Sequence, residues 1–241
     1  MSKHIGILAH SADGAALCFL EIVRESARSL GAHRHPEITL SILPMGDVLP
    51  AYRRDLATVI AHLRQTAERL ASAGCDFFVC PDNTAHIALD AVSDPLPLAG
   101  LHIADIVAAR ARTDGRRRVA LLGTRLTMEG PAYPAAFARN GLELRVPADA
   151  DRAVIDRVIF EELCQGIIAD RSRDEYVRII ETLRGEGCDA VALSCTEIPL
   201  LVTPEVSPLP TLDSTRLLAR EAVEVAIGRR PMPTWRGGAL R

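Results

Sequence analysis

Lysine is nearly missing from this chain of 241 residues: Lys3 is the single example, just ahead of the first apolar segment. A pyridoxal phosphate enzyme needs a lysine for its Schiff base, and a P-loop nucleotide-binding protein needs Gly-x-x-x-x-Gly-Lys-Ser/Thr. Both are excluded. The Gly-x-Gly-x-x-Gly dinucleotide fingerprint is missing too. The six cysteines stand singly, without Cys-x-x-Cys or a Cys/His ligand spacing. They read as reduced thiols, and neither a disulfide framework nor a zinc site is expected.

Long hydrophobic runs are lacking as well. None reaches the roughly 20 residues of a membrane span, and residues 1–10 have no apolar core of an export signal, so a cytoplasmic protein is expected. Charge of one sign is not in excess: 28 Lys+Arg against 31 Asp+Glu leaves a formal net charge of −3. Such a balance offers no footprint for nucleic acid or a membrane surface. The run Arg116-Arg117-Arg118 precedes a strongly apolar segment and reads as a solvated strand start.

What is present is core-forming material, 48% hydrophobic residues. Apolar strand candidates at 5–9, 39–43, 77–81, 119–123, 142–146 and 190–194 alternate with amphipathic segments at 15–30, 56–73, 103–112, 151–163 and 175–184. Strands this apolar are buried on both faces, which predicts parallel sheets covered by helices and an α/β class. After Gly228 the sequence Arg-Arg-Pro-Met-Pro-Thr-Trp breaks the helical pattern and is expected to pack along the surface.

The chain also repeats itself. Gly74-Cys75-Asp76 and Gly187-Cys188-Asp189 each precede a strand, and Asp82 lies seven residues after Cys75 as Cys195 lies seven after Cys188. The fold expected is two pseudo-twofold-related lobes, 1–98 with 213–241 and 99–212. Ligands of parallel sheets bind beyond the carboxyl ends of the strands. Lobes facing one another across a cleft would set Asp82 and Cys195 on opposite faces of one small molecule, which is what racemisation requires.

Ser194-Cys195-Thr196-Glu197-Ile198-Pro199-Leu200-Leu201 resembles the Gly-Cys-Thr-Glu-(Ile/Leu)-Pro-Leu-Leu motif of the aspartate/glutamate racemase superfamily. Asn83-Thr84-Ala85-His86 is similar to the Cys-Asn-Thr-Ala-His motif of the first half of the same family. Leu121-Leu122-Gly123-Thr124 with Thr127-Met128 and Tyr133, and Leu212-Asp213-Ser214, resemble two further stretches. The resemblance implies a cofactor-independent racemase or epimerase of an amino acid or related carboxylate, generally a homodimer. It implies that Cys195 is an acid/base residue and that Asn83, Thr84, Thr124, Thr127 and Thr196 hold the substrate carboxylate. Ser11, after the first strand, and Arg53 or its neighbour Arg54, after the second, are weaker candidates for substrate contact. His86 is placed to tune Asp82 or to pack, and Glu197 to orient Cys195 or brace Thr196. Backbone N–H groups and a helix dipole after Cys195 are expected to lower its pKa.

Asp82 stands where the family has its first catalytic cysteine. Three roles are open to it: a carboxylate base paired with Cys195, a bystander to a one-base decarboxylase or cis–trans isomerase using Cys195 alone, or a group that binds a substrate ammonium. A helix N-cap is the plain structural role. Outside catalysis, the same residues would suit a small-carboxylate-binding protein.

Overall fold

The computed structural model describes residues 2–46 and 48–237. Two compact units divide the chain, Met1–Ile103 with Thr215–Arg241 and Ala104–Ser214. The elements in order are β1 (Ile5–Ala9), α1 (Ala12–Leu30), β2 (Ile38–Ile42), α2 (Leu56–Ser72), β3 (Phe77–Val79), α3 (Ala85–Asp90), β4 (Gly100–Leu101) and α4 (Ile103–Thr113). They continue as β5 (Arg118–Gly123), α5 (Arg125–Glu129), α6 (Ala132–Arg139), β6 (Glu143–Arg145), α7 (Asp149–Glu161) and α8 (Asp170–Gly185). Last come β7 (Ala190–Ser194), α9 (Ile198–Leu201), β8 (Thr211–Asp213) and α10 (Ser214–Ala226), and 3-10 turns lie at Leu49–Arg53 and Leu163–Gln165.

Each unit holds a four-stranded, all-parallel sheet, ordered β2-β1-β3-β4 in one and β6-β5-β7-β8 in the other. The central strands are buried throughout, as continuous apolar runs demand. Helix α2 shows how the cover forms. Val59, Leu63, Ala67 and Leu70 recur at helical spacing and are fully buried. Asp55 starts that helix by accepting from the Thr58 hydroxyl at 2.6 Å and, more weakly, from its amide at 3.4 Å.

The two Gly-Cys-Asp segments do the same work in both units. Gly74 and Gly187 turn the chain off α2 and α8 at φ 82° and 90°, a left-handed backbone that glycine adopts without strain. The next amides, Cys75 N–H and Cys188 N–H, donate back to Leu70 O and Leu183 O at 3.1 and 3.0 Å. Asp76 then accepts from His4 N–H at 2.7 Å, and Asp189 from Arg117 N–H at 2.8 Å, tying each β3-type strand to the start of its neighbour. The repeat is therefore a structural junction that delivers the chain into the central strand.

Strands β4 and β8 have no counterpart among the expected strands. Each is two or three residues long and follows a proline-rich stretch, so no alternation marks it. The segment after α10 does more than lie on the surface. Trp235 bridges to Gly100 and Gly237 to Leu96 along the β4 edge, and the Trp235 ring packs against the core.

Candidate active site

The strands of each unit end at the residues singled out by the sequence. In the first unit β1 runs into His10 and Ser11, and β3 into Asp82, Asn83 and Thr84. Ser11 occupies the N-cap position of α1, where its side chain makes no capping bond. Asp82 is half-buried, and its Oδ1 accepts from Ala85 N–H at 3.0 Å, so it does act as a cap for α3. Asn83 is buried, and Thr84 is the residue that precedes α3. His86 is fully buried one turn later, and its Nδ1 lies 2.9 Å from Asp82 O. Burial, then the neighbouring His102, pulls its pKa down to about 3, so the ring is neutral.

Arg53 closes the 3-10 turn with its side chain exposed. The residue this turn sends inward is Tyr52, which sequence reasoning passed over. Its hydroxyl is 2.9 Å from His10 Nε2, and the rings meet edge to face at 5.6 Å. Burial pushes the phenol pKa far up, and the Asp82 charge nearby adds to the shift. The available signal was His10 at the end of a buried strand, beside a turn carrying an aromatic residue.

In the second unit β5 runs into Thr124 and β7 into Cys195. Thr124 caps α5: its Oγ1 accepts from Thr127 N–H at 3.2 Å and donates to Thr127 Oγ1 at 3.0 Å. Gly123 lets these strand ends approach, because a Cβ there would lie 2.7 Å from Ser194 O. Thr196 and Glu197 are both buried. Glu197 Oε2 accepts from the Cys195 thiol at 2.9 Å and from the Thr196 hydroxyl at 2.7 Å. One carboxylate oxygen thus contacts both Cys195 and Thr196.

This contact reverses the expected state of the thiol. Burial, then the Glu197 charge, then the hydrogen bond the thiol donates to it hold the Cys195 pKa well above the ordinary value. The helix that follows has only four residues, so it supplies little dipole against a carboxylate at contact distance. These contacts favour the protonated thiol.

The other cysteines fall into two kinds. Cys18, Cys75, Cys80 and Cys188 are buried. Burial pushes Cys18 up to about 12 and Cys188 up to about 11, and raises Cys80, beside Asp82, well above the ordinary range. Cys164, in the 3-10 turn after α7, is exposed. Among the described residues no group of three or more His, Cys, Asp or Glu is placed to hold a metal ion, and no helix is long and apolar enough to cross a membrane. Lys3 lies at the amino end of β1, opposite to Ser11, with its ammonium 3.7 Å from Asp76.

Two four-stranded parallel sheets of the same strand order, one followed by the Asp82 carboxylate and the other by the Cys195 thiol, define a class of two-unit α/β proteins. The chain belongs to the Asp/Glu/Hydantoin racemase family, which matches residues 14–222; racemases are isomerases. It is similar to a Yersinia pestis protein assigned as an Asp/Glu racemase, with 32% identity, coverage of 93% of this chain and 99% of that one, and a TM-score of 0.85. It is also similar to an aspartate racemase homologue from Pyrococcus horikoshii OT3, at 27% identity, 94% and 100% coverage and a TM-score of 0.79. A glutamate racemase from Aquifex aeolicus (strain VF5) is 25% identical over 224 residues, 90% of this chain and 80% of that protein.

Proposed function

We propose that this protein racemises or epimerises an amino acid or a related carboxylate without a cofactor, with Asp82 as the base on one face of the α-carbon and Cys195 as the acid on the other. The observation that carries the reading is the Cys195–Glu197 hydrogen bond: a thiol held in its acid form needs a partner that is a base, and Asp82 supplies a carboxylate at the matching strand end. In the forward direction an Asp82 oxygen takes the α-proton, the electron pair moves into the substrate carboxylate as an enediolate, and the Cys195 thiol returns a proton to the opposite face. The reverse direction starts from the other arrangement of the same single proton, Asp82 protonated and Cys195 a thiolate.

The remaining polar residues carry the charge that forms. We assign Asn83, Thr84, Thr124, Thr127 and Thr196 to the substrate carboxylate, where donors fixed before reaction stabilise the enediolate. Ser11 belongs to the same rim, and Arg53, exposed on its turn, is left to recruit a distal substrate anion. Lys3, the single lysine, lies at the opposite end of β1 from Ser11. We further propose a homodimer in the cytoplasm, with no nucleic-acid or membrane partner; light scattering of the purified protein tests the assembly.

The deciding experiment is α-proton exchange in deuterated water, followed by NMR on a panel of L- and D-amino acids and simple dicarboxylates. Deuterium incorporation with inversion, abolished by Cys195→Ala and by Asp82→Asn, supports the two-base reading. Exchange with retained configuration that survives Asp82→Asn sinks it and leaves Cys195 as a one-sided catalyst. Binding without exchange on every compound makes the protein a carboxylate binder.

A further inference from the structure

We infer that Trp235 is a positioning residue for Asp82, acting through the imidazole of His86. The inference rests on the reading of Asp82 as a proton carrier and adds to it a device that no strand-end motif contains.

The chain after α10 returns to the first sheet and is fastened there. Gly100 N–H donates to Trp235 O at 2.9 Å, and Leu96 N–H donates to Arg236 O at 2.6 Å. The Arg236 guanidinium donates to the carbonyls of Val92 at 3.0 Å and Asp90 at 2.6 Å, and lies 3.7 Å from the Asp90 carboxylate. These bonds span the end of α3 and the approach to β4, so they set where the Trp235 ring lies.

That ring covers His86. The indole and imidazole are stacked, with centroids 5.4 Å apart and planes 8° from parallel. His102 meets the indole edge to face at 4.8 Å, and Phe78 lies at 5.9 Å. Aromatic pairs at these separations favour a defined ring orientation. The orientation matters because both His86 nitrogens are engaged. Ile103 N–H, at the start of α4, is 3.2 Å from Nε2 and can only donate. Nε2 is therefore the acceptor, Nδ1 carries the proton, and Nδ1–H donates to Asp82 O. A neutral, fully buried imidazole thus bridges the Asp82 backbone to the start of α4, and the indole fixes the plane in which it does so.

Asp82 is consequently held twice, by its carbonyl through His86 and by its carboxylate through Ala85 N–H. Removing the indole frees the imidazole to tilt, lengthens the bond to Asp82 O and loosens the turn from which the carboxylate projects. A misplacement of about 1 Å at a reacting group costs up to about 10²-fold in rate. Of the donors assigned to the substrate carboxylate, Asn83 and Thr84 share this turn but Thr124, Thr127 and Thr196 do not, so the effect falls mainly on turnover.

The test compares Trp235→Ala and Trp235→Phe with the wild type. Trp235→Ala is expected to lower kcat at least about tenfold with KM changed less than about twofold, and Trp235→Phe, which keeps a ring on His86, to recover most of the loss. A second readout needs no turnover: amide hydrogen exchange by NMR. Trp235→Ala is expected to speed exchange at Ala85 and Ile103, the two amides tied through Asp82 and His86, while the Ile7 amide inside β1 keeps its protection; Trp235→Phe restores both. Unchanged exchange at Ala85 and Ile103 overturns the inference. So does loss of protection at Ile7 together with the other two, which is general unfolding, or a KM rise that equals the loss in kcat/KM. Wild-type protein that exchanges no substrate α-proton sinks the racemase reading, and the amide exchange then decides the Trp235 clamp alone.

Discussion

Glu197 Oε2 lies 2.9 Å from the Cys195 sulfur and 2.7 Å from the Thr196 hydroxyl, and it accepts a hydrogen bond from each. One carboxylate oxygen thereby keeps a proton on the thiol and fixes the hydroxyl beside it. The negative charge and the hydrogen bond both favour the thiol over the thiolate, so the residue following the motif's threonine sets the resting protonation of Cys195.

The first prediction concerns that oxygen. Glu197→Gln removes the charge and keeps the shape, so the Cys195 pKa falls and the residue alkylates several-fold faster at a fixed mildly alkaline pH. The alkaline limb of the pH–rate profile moves to lower pH in the same variant, because the acid form is lost sooner. Mass spectrometry of iodoacetamide-treated protein reads the alkylation. Slower modification than in the wild type would refute the account.

In the wild type, Cys164 is expected to alkylate before Cys195. It is the exposed thiol, whereas Cys195 is half-buried and held protonated, and Cys18, Cys75, Cys80 and Cys188 are buried. Peptide mapping after brief treatment checks the order. Cys164→Ser removes the fast site and uncovers the slow one.

Asp82 has a structural duty separable from chemistry. Asp82→Ala loses the bond to Ala85 N–H and costs about 1 kcal/mol of stability. Asp82→Asn retains an acceptor oxygen and is expected to be nearly neutral. Both abolish exchange with inversion, since neither can take or return a proton on the Asp82 face. Urea denaturation beside the exchange assay separates the two effects; equal stability of Asp82→Ala and the wild type would deny the cap.

His86 makes stability depend on acid. Its folded pKa of about 3 lies below the ordinary 6.5, chiefly because of burial, so between these values the unfolded chain binds a proton that the native state does not. Stability from this group is full above about pH 6.5 and falls as pH drops, by about 1.4 kcal/mol per unit. His86→Asn is less stable than the wild type at pH 7.5 but loses less of its stability by pH 5. Parallel slopes of the two proteins in urea titrations would contradict this.

Gly123→Ala forces a Cβ to within 2.7 Å of Ser194 O, at the place where β5 and β7 deliver Thr124 and Cys195. Overpacking of this sort costs about 1–3 kcal/mol, and the displaced strand ends lower kcat beyond what stability explains. Calorimetry and the exchange assay measure the two parts.

What the sequence by itself determined is local and periodic. Buried strands announce themselves as unbroken apolar runs, amphipathic helices by their spacing, and the duplicated Gly-Cys-Asp junction by its fixed distance to Asp82 and Cys195. From these follow the α/β class, the two-unit organisation and both strand-end residues. Short edge strands such as β4 escaped because two residues carry no periodicity. Only the tertiary structure decided the chemistry of the groups so placed. The thiol state of Cys195 depends on where the Glu197 carboxylate turns, and the packing of Tyr52 beside the exposed Arg53 on which side of a 3-10 turn faces inward. The clamp of Trp235 on His86 joins residues 149 positions apart in the sequence. Charge, burial and ring contact act through space, and distance along the chain does not report distance in the fold.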